Sequence, residues 1–328
     1  MLAEGHRVEL ENMGKKGLRR RLDTFLHGKT TDRRKARLFR RSTTGSLKLI
    51  RRGPIGARIA FISTFWPGGN GRLTPFALAA ALAGVGFSPV LIVTAGRMPD
   101  FDAVFAKLAG EGAPLGDATV VWRRNLGRDF GGYKDAFHFF GDELSAAERV
   151  FLGNDGLIGP LFPSDYFQRL QQSGPGLWGA TESFDHAYHL QSSHLLFSGR
   201  DAVEAARAFF RQYDFYDHRA NVIRYGELEL SQWFVERHIP VTPYYPAELL
   251  AAEKKCDTVS GRKQGAWYAL NAQHYYFDTL MSLGCPFVKR ELLALNPLQL
   301  PDLYERVFAQ MEQRGQSADL LYRHLRPL

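Results

Sequence analysis

Residues 125–160 read NLGRDFGGYKDAFHFFGDELSAAERVFLGNDGLIGP, and two turns in this stretch decide the reading of the chain. The first follows the apolar run Ala118 to Trp122. It sets Arg128 and Asp129 just before Gly131 and Gly132, at the start of a helical pattern. Glycines at a strand-to-helix turn let the backbone approach a ligand closely, and the unpaired N–H groups opening the helix favour an anion such as a phosphate. The second turn ends the short apolar strand Val150, Phe151, Leu152 and runs into Gly153, Asn154, Asp155 and Gly156. A carboxylate at a strand's carboxyl end lies where open α/β sheets bind their ligands. Asn, Asp and Gly are also ordinary turn residues, so local pattern leaves both a binding site and a pair of plain turns open.

Outward from this stretch, short apolar runs alternate with helical segments. Arg58 to Ser63 reads as a buried strand ending near Thr64 and Phe65, and Thr74 with Pro75 opens a helix through Leu82. Val90 to Val93 and Ala118 to Trp122 are further strands, and Phe101 to Leu108 and Tyr133 to Leu144 are helices. Such alternation predicts an α/β sandwich of Rossmann type, with a mostly parallel central sheet and its ligand crevice at the strands' carboxyl ends. Farther on, His189 to Phe197 reads as one strand, placing His189 and His194 on opposite faces and arguing against a zinc site. Glu227 and Glu229 fall in the first turn of a predicted helix, where the dipole favours carboxylates whatever their chemistry. The glycine-rich loop from Gly68 to Gly71 has neither P-loop nor Rossmann spacing. A last pair of helices, Ala272 to Leu283 and Leu303 to Gln313, closes the chain.

Composition sets the limits. The 328 residues are 45% hydrophobic and 23% charged, which is globular and large enough for a substantial core. No apolar run approaches the roughly 20 residues needed to cross a bilayer and no leader is evident, so a cytoplasmic location is expected. Cys256 and Cys285, far apart, suggest neither a disulfide framework nor a zinc site. The net charge of +8 is concentrated in residues 15–52, where 15 Lys and Arg face only Asp23 and Asp32. This basic arm, with Leu18, Leu22, Phe25 and Leu26 at helical spacing, suits the anionic inner face of the plasma membrane, to which the protein would bind peripherally. A merely solvated arm and a nucleic-acid partner remain open, the second disfavoured because nucleic-acid-binding motifs are missing. The expected organisation is a basic helical arm over 1–53, the main domain over 54–298 and a helical extension over 299–328.

Several segments in order, Asn125 to Asp135, Asn154 to Gly156 with Gly159 to Leu161, Trp178 to Thr181, His189 to Ser192, and Pro286 to Leu293 with Asn296 and Pro297, resemble the rhamnan synthesis protein F family. The resemblance covers roughly residues 57–298. It implies a glycosyltransferase of bacterial surface-polysaccharide assembly, such as rhamnan or O-antigen of lipopolysaccharide, moving L-rhamnose or a related deoxysugar from a nucleotide donor, dTDP-rhamnose being favoured, to a lipid-linked glycan acceptor. The stretch also looks like the core of GT-A nucleotide-sugar transferases, particularly glycosyltransferase family 2. That likeness implies an inverting transferase, donor contacts from Thr64, Phe65, Asn125, Arg128, Asp129, Lys134, Asn154 and Asp155, and an acceptor side formed by Trp178, Thr181, His189, Gln191 and Ser192. It further implies Mg²⁺ or Mn²⁺ on Asp155, although Gly153 stands where the pattern has its first metal acid. Glu227, after Gly226, takes the place of the general base, with Glu229 and Asp129 behind it. In this chemistry the cation stabilises the departing diphosphate and the base takes the acceptor's hydroxyl proton. A catalytically inactive binding or scaffold subunit of the same fold is the competing reading, motivated by Gly153.

Overall fold

The computed structural model describes residues 47–67, 71–112, 115–184, 186–253 and 271–327. The basic arm before residue 47, Gly68 to Asn70 of the glycine-rich loop, and Cys256 lie outside them. The central sheet has the order β1-β4-β3-β2-β5-β9-β7-β10, with β8 beside β7. Its strands are β1 (Lys48–Arg51), β2 (Arg58–Phe65), β3 (Ser88–Ala95), β4 (Thr119–Arg124), β5 (Arg149–Asn154), β7 (Gly176–Ser183), β8 (His189–Leu190), β9 (His194–Ser198) and β10 (Val241–Tyr245). β6 (Leu157–Ile158) pairs outside this sheet with β11 (Val288–Lys289). β2 runs parallel to β3 and β5, β3 to β4, and β7 to β10, while β9 runs against both β5 and β7. This is the predicted α/β sandwich of Rossmann type with a mostly parallel central sheet.

The strand sequences show why the sheet is covered on both faces. Alternate side chains point to opposite sides of a strand. Ile59 and Phe61 of β2 accordingly join Val90, Ile92, Val150 and Leu152 in one core, while Ala60 and Ile62 join Leu91, Val93 and Phe151 in the other. Helices α1 (Leu73–Ala83) and α2 (Phe101–Gly110) pack on the second core, and α3 (Arg128–Phe139) with α4 (Arg200–Gln212) on the first. From β2 the chain winds outward one way through β3 to β4, then returns through α3 to β5 on the other side. The gap between the carboxyl ends of β2 and β5 is therefore the topological switch point, where such sheets hold ligands.

Several expectations need correcting. The sheet begins before residue 54, because β1 pairs antiparallel with β4 and Leu47 is buried beneath it. Thr74 does not cap α1, which starts at Leu73; its hydroxyl lies 2.9 Å from Nδ1 of His324. His189 and His194 sit on separate strands, with Gln191 to Ser193 between them. The C-terminal extension is no appendage. Leu303, Val307, Met311 and Leu321 of α6 (Leu303–Glu312) and α7 (Ala318–Leu325) share a core with Ile158, Phe277 and Val288, next to α5 (Arg290–Leu295). No helix among the described residues is long and apolar enough to cross a membrane.

Candidate active site

The switch point opens into a cleft of about 990 Å³. Its first wall is the turn after β4. Gly127 and Arg128 both have left-handed backbones, with φ of 71° and 53°. Glycine adopts this freely, whereas an arginine there costs on the order of 1 kcal/mol and has to be held. Asp217 does the holding. Its Oδ1 accepts the Gly127 N–H at 2.6 Å and its carbonyl accepts Arg128 Nε at 2.7 Å. Asp129 Oδ1 accepts the Phe130 N–H at 3.0 Å. Two N–H groups that the sequence offered to a phosphate are thus bound by carboxylates of the protein. The glycines also serve packing rather than ligand approach, since a Cβ at 131 would fall 2.5 Å from the Leu126 carbonyl and one at 132 would fall 3.3 Å from Ser63 Oγ.

The second wall is the turn after β5, tied to the first by Asn154, whose Nδ2 donates to Asp129 Oδ2 at 2.8 Å. Asn154 Oδ1 accepts the N–H of Gly156 at 2.9 Å, which orients the amide. Asp155 Oδ2 accepts the Phe65 N–H at 3.1 Å and the Thr64 hydroxyl at 3.3 Å, spanning the gap from β5 to β2. Burial raises the carboxyls of Asp129 and Asp155 above the usual range, partly offset by these hydrogen bonds and, for Asp155, by Arg290. Gly153 has a packing reason to lack a side chain: a Cβ there would come within 2.8 Å of the Phe151 ring and 3.1 Å of Leu78.

Glu227 comes from the far side. It lies in a π-helical segment, Ile223–Leu228, between the α-helical pieces Arg219–Val222 and Glu229–Val235. It is not in a helix's first turn, so the dipole reading fails. Single π turns inside α-helices occur frequently at functional sites. Gly226 packs directly on the Phe130 ring, which brings Glu227 beside Asp129. Burial and then the Asp129 charge push the Glu227 carboxyl up, against Lys289 and hydrogen bonding from Ser192. Glu229 is exposed and does not line the cleft.

Phe65, Asn125, Arg128, Asp129, Asn154 and Asp155 line the cleft, and so do His189, Gln191, Ser192 and Glu227. Besides Glu229, four expected residues do not, the first being Thr64, which is buried with its hydroxyl on Asp155 Oδ2. Lys134 donates to the carbonyls of Phe210, Arg211 and Tyr213 at the end of α4. Trp178 stacks on Tyr244, with its indole N–H on the Gly174 carbonyl. Thr181 lies behind the wall, donating to Gln191 Oε1 at 2.7 Å. From it a buried polar chain runs through Gln273 and Ser193 to the ammonium of Lys289, which donates to Ser193 Oγ at 3.1 Å. Lys289, Arg290 and Glu291 also line the cleft, as does Arg219, which pairs through both nitrogens with Glu291 at 3.1 and 2.9 Å. The segment Pro286 to Leu293 carried a family resemblance, but nothing local signalled that β11 would pair with β6 directly after Asp155.

The acids do not assemble a metal site. No group of three or more His, Cys, Asp or Glu among the described residues could hold an ion. Asp155 already accepts two hydrogen bonds on Oδ2, and its neighbouring charges are Arg290 and Arg72. Magnesium and manganese favour carboxylate and carbonyl oxygen, whereas cationic side chains favour a phosphate.

The chain is 27% identical over 212 residues to the virulence protein VirA of Vibrio anguillarum, spanning 58% of this chain and 66% of that protein. It is 28% identical over 171 residues to the uncharacterized protein y4gN of Sinorhizobium fredii, spanning 50% and 44%. Among solved structures it is similar to the WbbM bifunctional glycosyltransferase, with a TM-score of 0.36, 8% identity and coverage of 84% of this chain and 53% of that one. It is also similar to a mannosyltransferase of Pyrobaculum calidifontis in complex with GDP-Man and Mn²⁺, with a TM-score of 0.30, 11% identity and coverage of 89% and 84%. At such scores neither structure decides fold or ligand. The sequence pattern of rhamnan synthesis protein F, in contrast, matches residues 113–326, which take in both cleft turns, the Glu227 segment and the Lys289–Glu291 strap, and the chain belongs to that family.

Proposed function

We propose that the protein is a glycosyltransferase of surface-polysaccharide synthesis, moving a hexosyl group, L-rhamnose or a related deoxysugar, from a nucleotide-diphosphate donor to a growing glycan. The observation that carries this reading is the meeting, at one sheet switch point, of the half-buried carboxylates Asp129 and Glu227 with the cations Lys289 and Arg290. Sugar transfer calls for both: positive charge for the departing diphosphate and a carboxylate for the acceptor's proton. Glu227 is the base in this proposal. Its raised pKa brings it closer to the pH at which it would work, and Ser192 orients it. Asp129 stands behind as second candidate, held by Asn154. Asp155 orders the donor side by fixing Phe65 and Thr64, with Asn125 and Arg128 facing the same space. His189, Gln191 and Ser192 form the acceptor side. Inversion at the sugar belongs to the same proposal, as does a dTDP donor.

The basic arm extends the proposal to location. With +13 over residues 15–52, the chain is suited to the anionic inner face of the plasma membrane, where a lipid-linked acceptor would be presented. A non-catalytic binding subunit is the second reading, favoured by Gly153 in place of the first acid. The deciding experiment is turnover of a nucleotide-sugar panel by the full chain, with Glu227→Gln as control. Release of nucleoside diphosphate that disappears in the variant supports the enzyme. Binding of a nucleotide sugar with no transfer to any glycan acceptor supports the binding subunit.

A further inference from the structure

The strap formed by β11 and the start of α5 brings two consecutive cations, Lys289 and Arg290, to the cleft beside the acid that a metal would use. Arg290 Nε donates to the Asp155 carbonyl at 2.8 Å, while its Nη2 is buried without a hydrogen-bond partner. A buried guanidinium N–H left unsatisfied is costly and is satisfied best by an anionic oxygen. Lys289, one residue back, donates to Ser193 Oγ at 3.1 Å and faces the carboxylates of Glu227, Glu291 and Asp129. The strap is fixed in place by pairing of Val288 and Lys289 with Ile158 and Leu157, and by the Arg290 N–H on the Gly156 carbonyl at 2.9 Å. These contacts make a rigid cationic shelf against the turn of Asp155.

We propose that Arg290 and Lys289 bind the diphosphate of the nucleotide donor in place of a divalent metal ion. Arg290 takes a phosphate oxygen on Nη2, and Lys289 lies toward Glu227, on the side of the bond that breaks. Gly153 fits this arrangement, because the packed Phe151 and Leu78 leave no room for the acid a metal would need there. The Arg290 guanidinium, pushed down to about 10 by burial and by Arg72, is still fully charged at neutral pH. Both side chains are preorganised by contacts to the protein, so charge is in place before the leaving group develops its own.

This inference rests on the donor reading above, and the test separates the two. Calorimetry on the full chain compares dTDP and UDP with dTMP, UMP, thymidine and uridine, in EDTA and then in Mn²⁺. The expected result is diphosphate binding of equal strength in EDTA and Mn²⁺, weakened about 10- to 100-fold in Arg290→Gln, with nucleoside affinity unchanged. Arg290→Lys recovers part of the loss, and Lys289→Met, which leaves the Asp155 contact intact, weakens the diphosphate alone. Unchanged nucleoside affinity shows that each variant is folded. Diphosphate binding that requires Mn²⁺, or that survives both substitutions, overturns this inference while leaving the donor reading standing. Failure of every nucleotide to bind the wild type under either condition overturns the donor reading, and this inference with it.

Discussion

Gly226 lies flat against the ring of Phe130, so close that a Cβ at 226 would sit 2.9 Å from Cδ1 and 3.0 Å from Cε1. Phe130 is fully buried and follows Asp129; Gly226 precedes Glu227. This one contact therefore sets the two half-buried carboxylates next to each other. Gly226→Ala has to move either the ring or the π-helical segment. We expect it to cost about 1–3 kcal/mol of stability, as overpacking does, and to lower transfer even where the protein remains folded. Chemical denaturation and turnover at a temperature well below the transition check both effects.

Glu227→Gln should uncouple stability from function. As general base the residue contributes a factor of roughly 10² to 10⁴ in rate, which the amide loses, while donor affinity is preserved. Glu229→Gln, on the exposed side, should leave transfer untouched. If Glu227→Gln stays active and Asp129→Asn does not, the base is Asp129.

The pH dependence follows from the direction of the shifts. Asp129, Asp155 and Glu227 are all raised in the folded protein by burial, with Asp129 adding to Glu227. A raised carboxyl contributes stability fully present below its unfolded pKa and lost as pH rises through its folded pKa. Mild acidification from neutral toward the ordinary carboxyl range should therefore stabilise this part of the fold, and Glu227→Gln should remove part of the dependence. Transfer should move the opposite way, falling as Glu227 takes up its proton, with an acid limb above the ordinary glutamate value of 4.5. Thermal melts and rate profiles across the same pH series read the two trends.

Restoring the missing acid should fail. In Gly153→Asp the new Cβ meets Phe151 at 2.8 Å and Leu78 at 3.1 Å within a buried strand. A loss of at least about 2 kcal/mol is expected, with no gain of Mn²⁺-dependent nucleotide binding. Melting with and without Mn²⁺ is the measurement. A stable variant that binds nucleotide only with metal would show that packing is not what keeps the acid out.

Three truncations locate the limits of the folded body. Removing residues 1–46 leaves β1 in place and should preserve the melting transition, while reducing binding to anionic vesicles if the arm is the membrane contact. Removing residues 1–52 takes away β1 and uncovers the β4 edge, so it should destabilise the domain and promote association. Ending the chain at 298 removes Leu303, Val307, Met311 and Leu321 from a shared core and should abolish the cooperative transition.

Much of the layout was legible along the chain, because strands buried on both faces are written as continuous apolar runs and helices as periodic ones. Val150 to Leu152 announces a strand and Asn154 to Gly156 its end. From these follow the α/β class, the crevice at the strand ends, and the placement there of Arg128, Asp129, Asn154 and Asp155, whereas Glu227 entered the site only through the resemblance. What local pattern misjudged was the purpose of individual groups. Gly131 and Gly132 make room for the chain itself, Lys134 serves the carbonyls ending α4, and Glu227 belongs to a π turn that dipole reasoning cannot foresee.

The tertiary structure alone decided which distant residues complete the cleft. Asp217 reaches back 90 positions to hold Gly127, and Arg290 reaches back 135 to hold Asp155. Neither relation leaves a periodic trace, since it depends on where whole elements dock: β11 against β6, and the 219–235 helix against Phe130. Hydrophobic periodicity reports which side of an element faces a core, and so it specifies the layers. The charges gathered where layers meet depend on how those elements pack, which is decided by contacts between residues far apart in the chain.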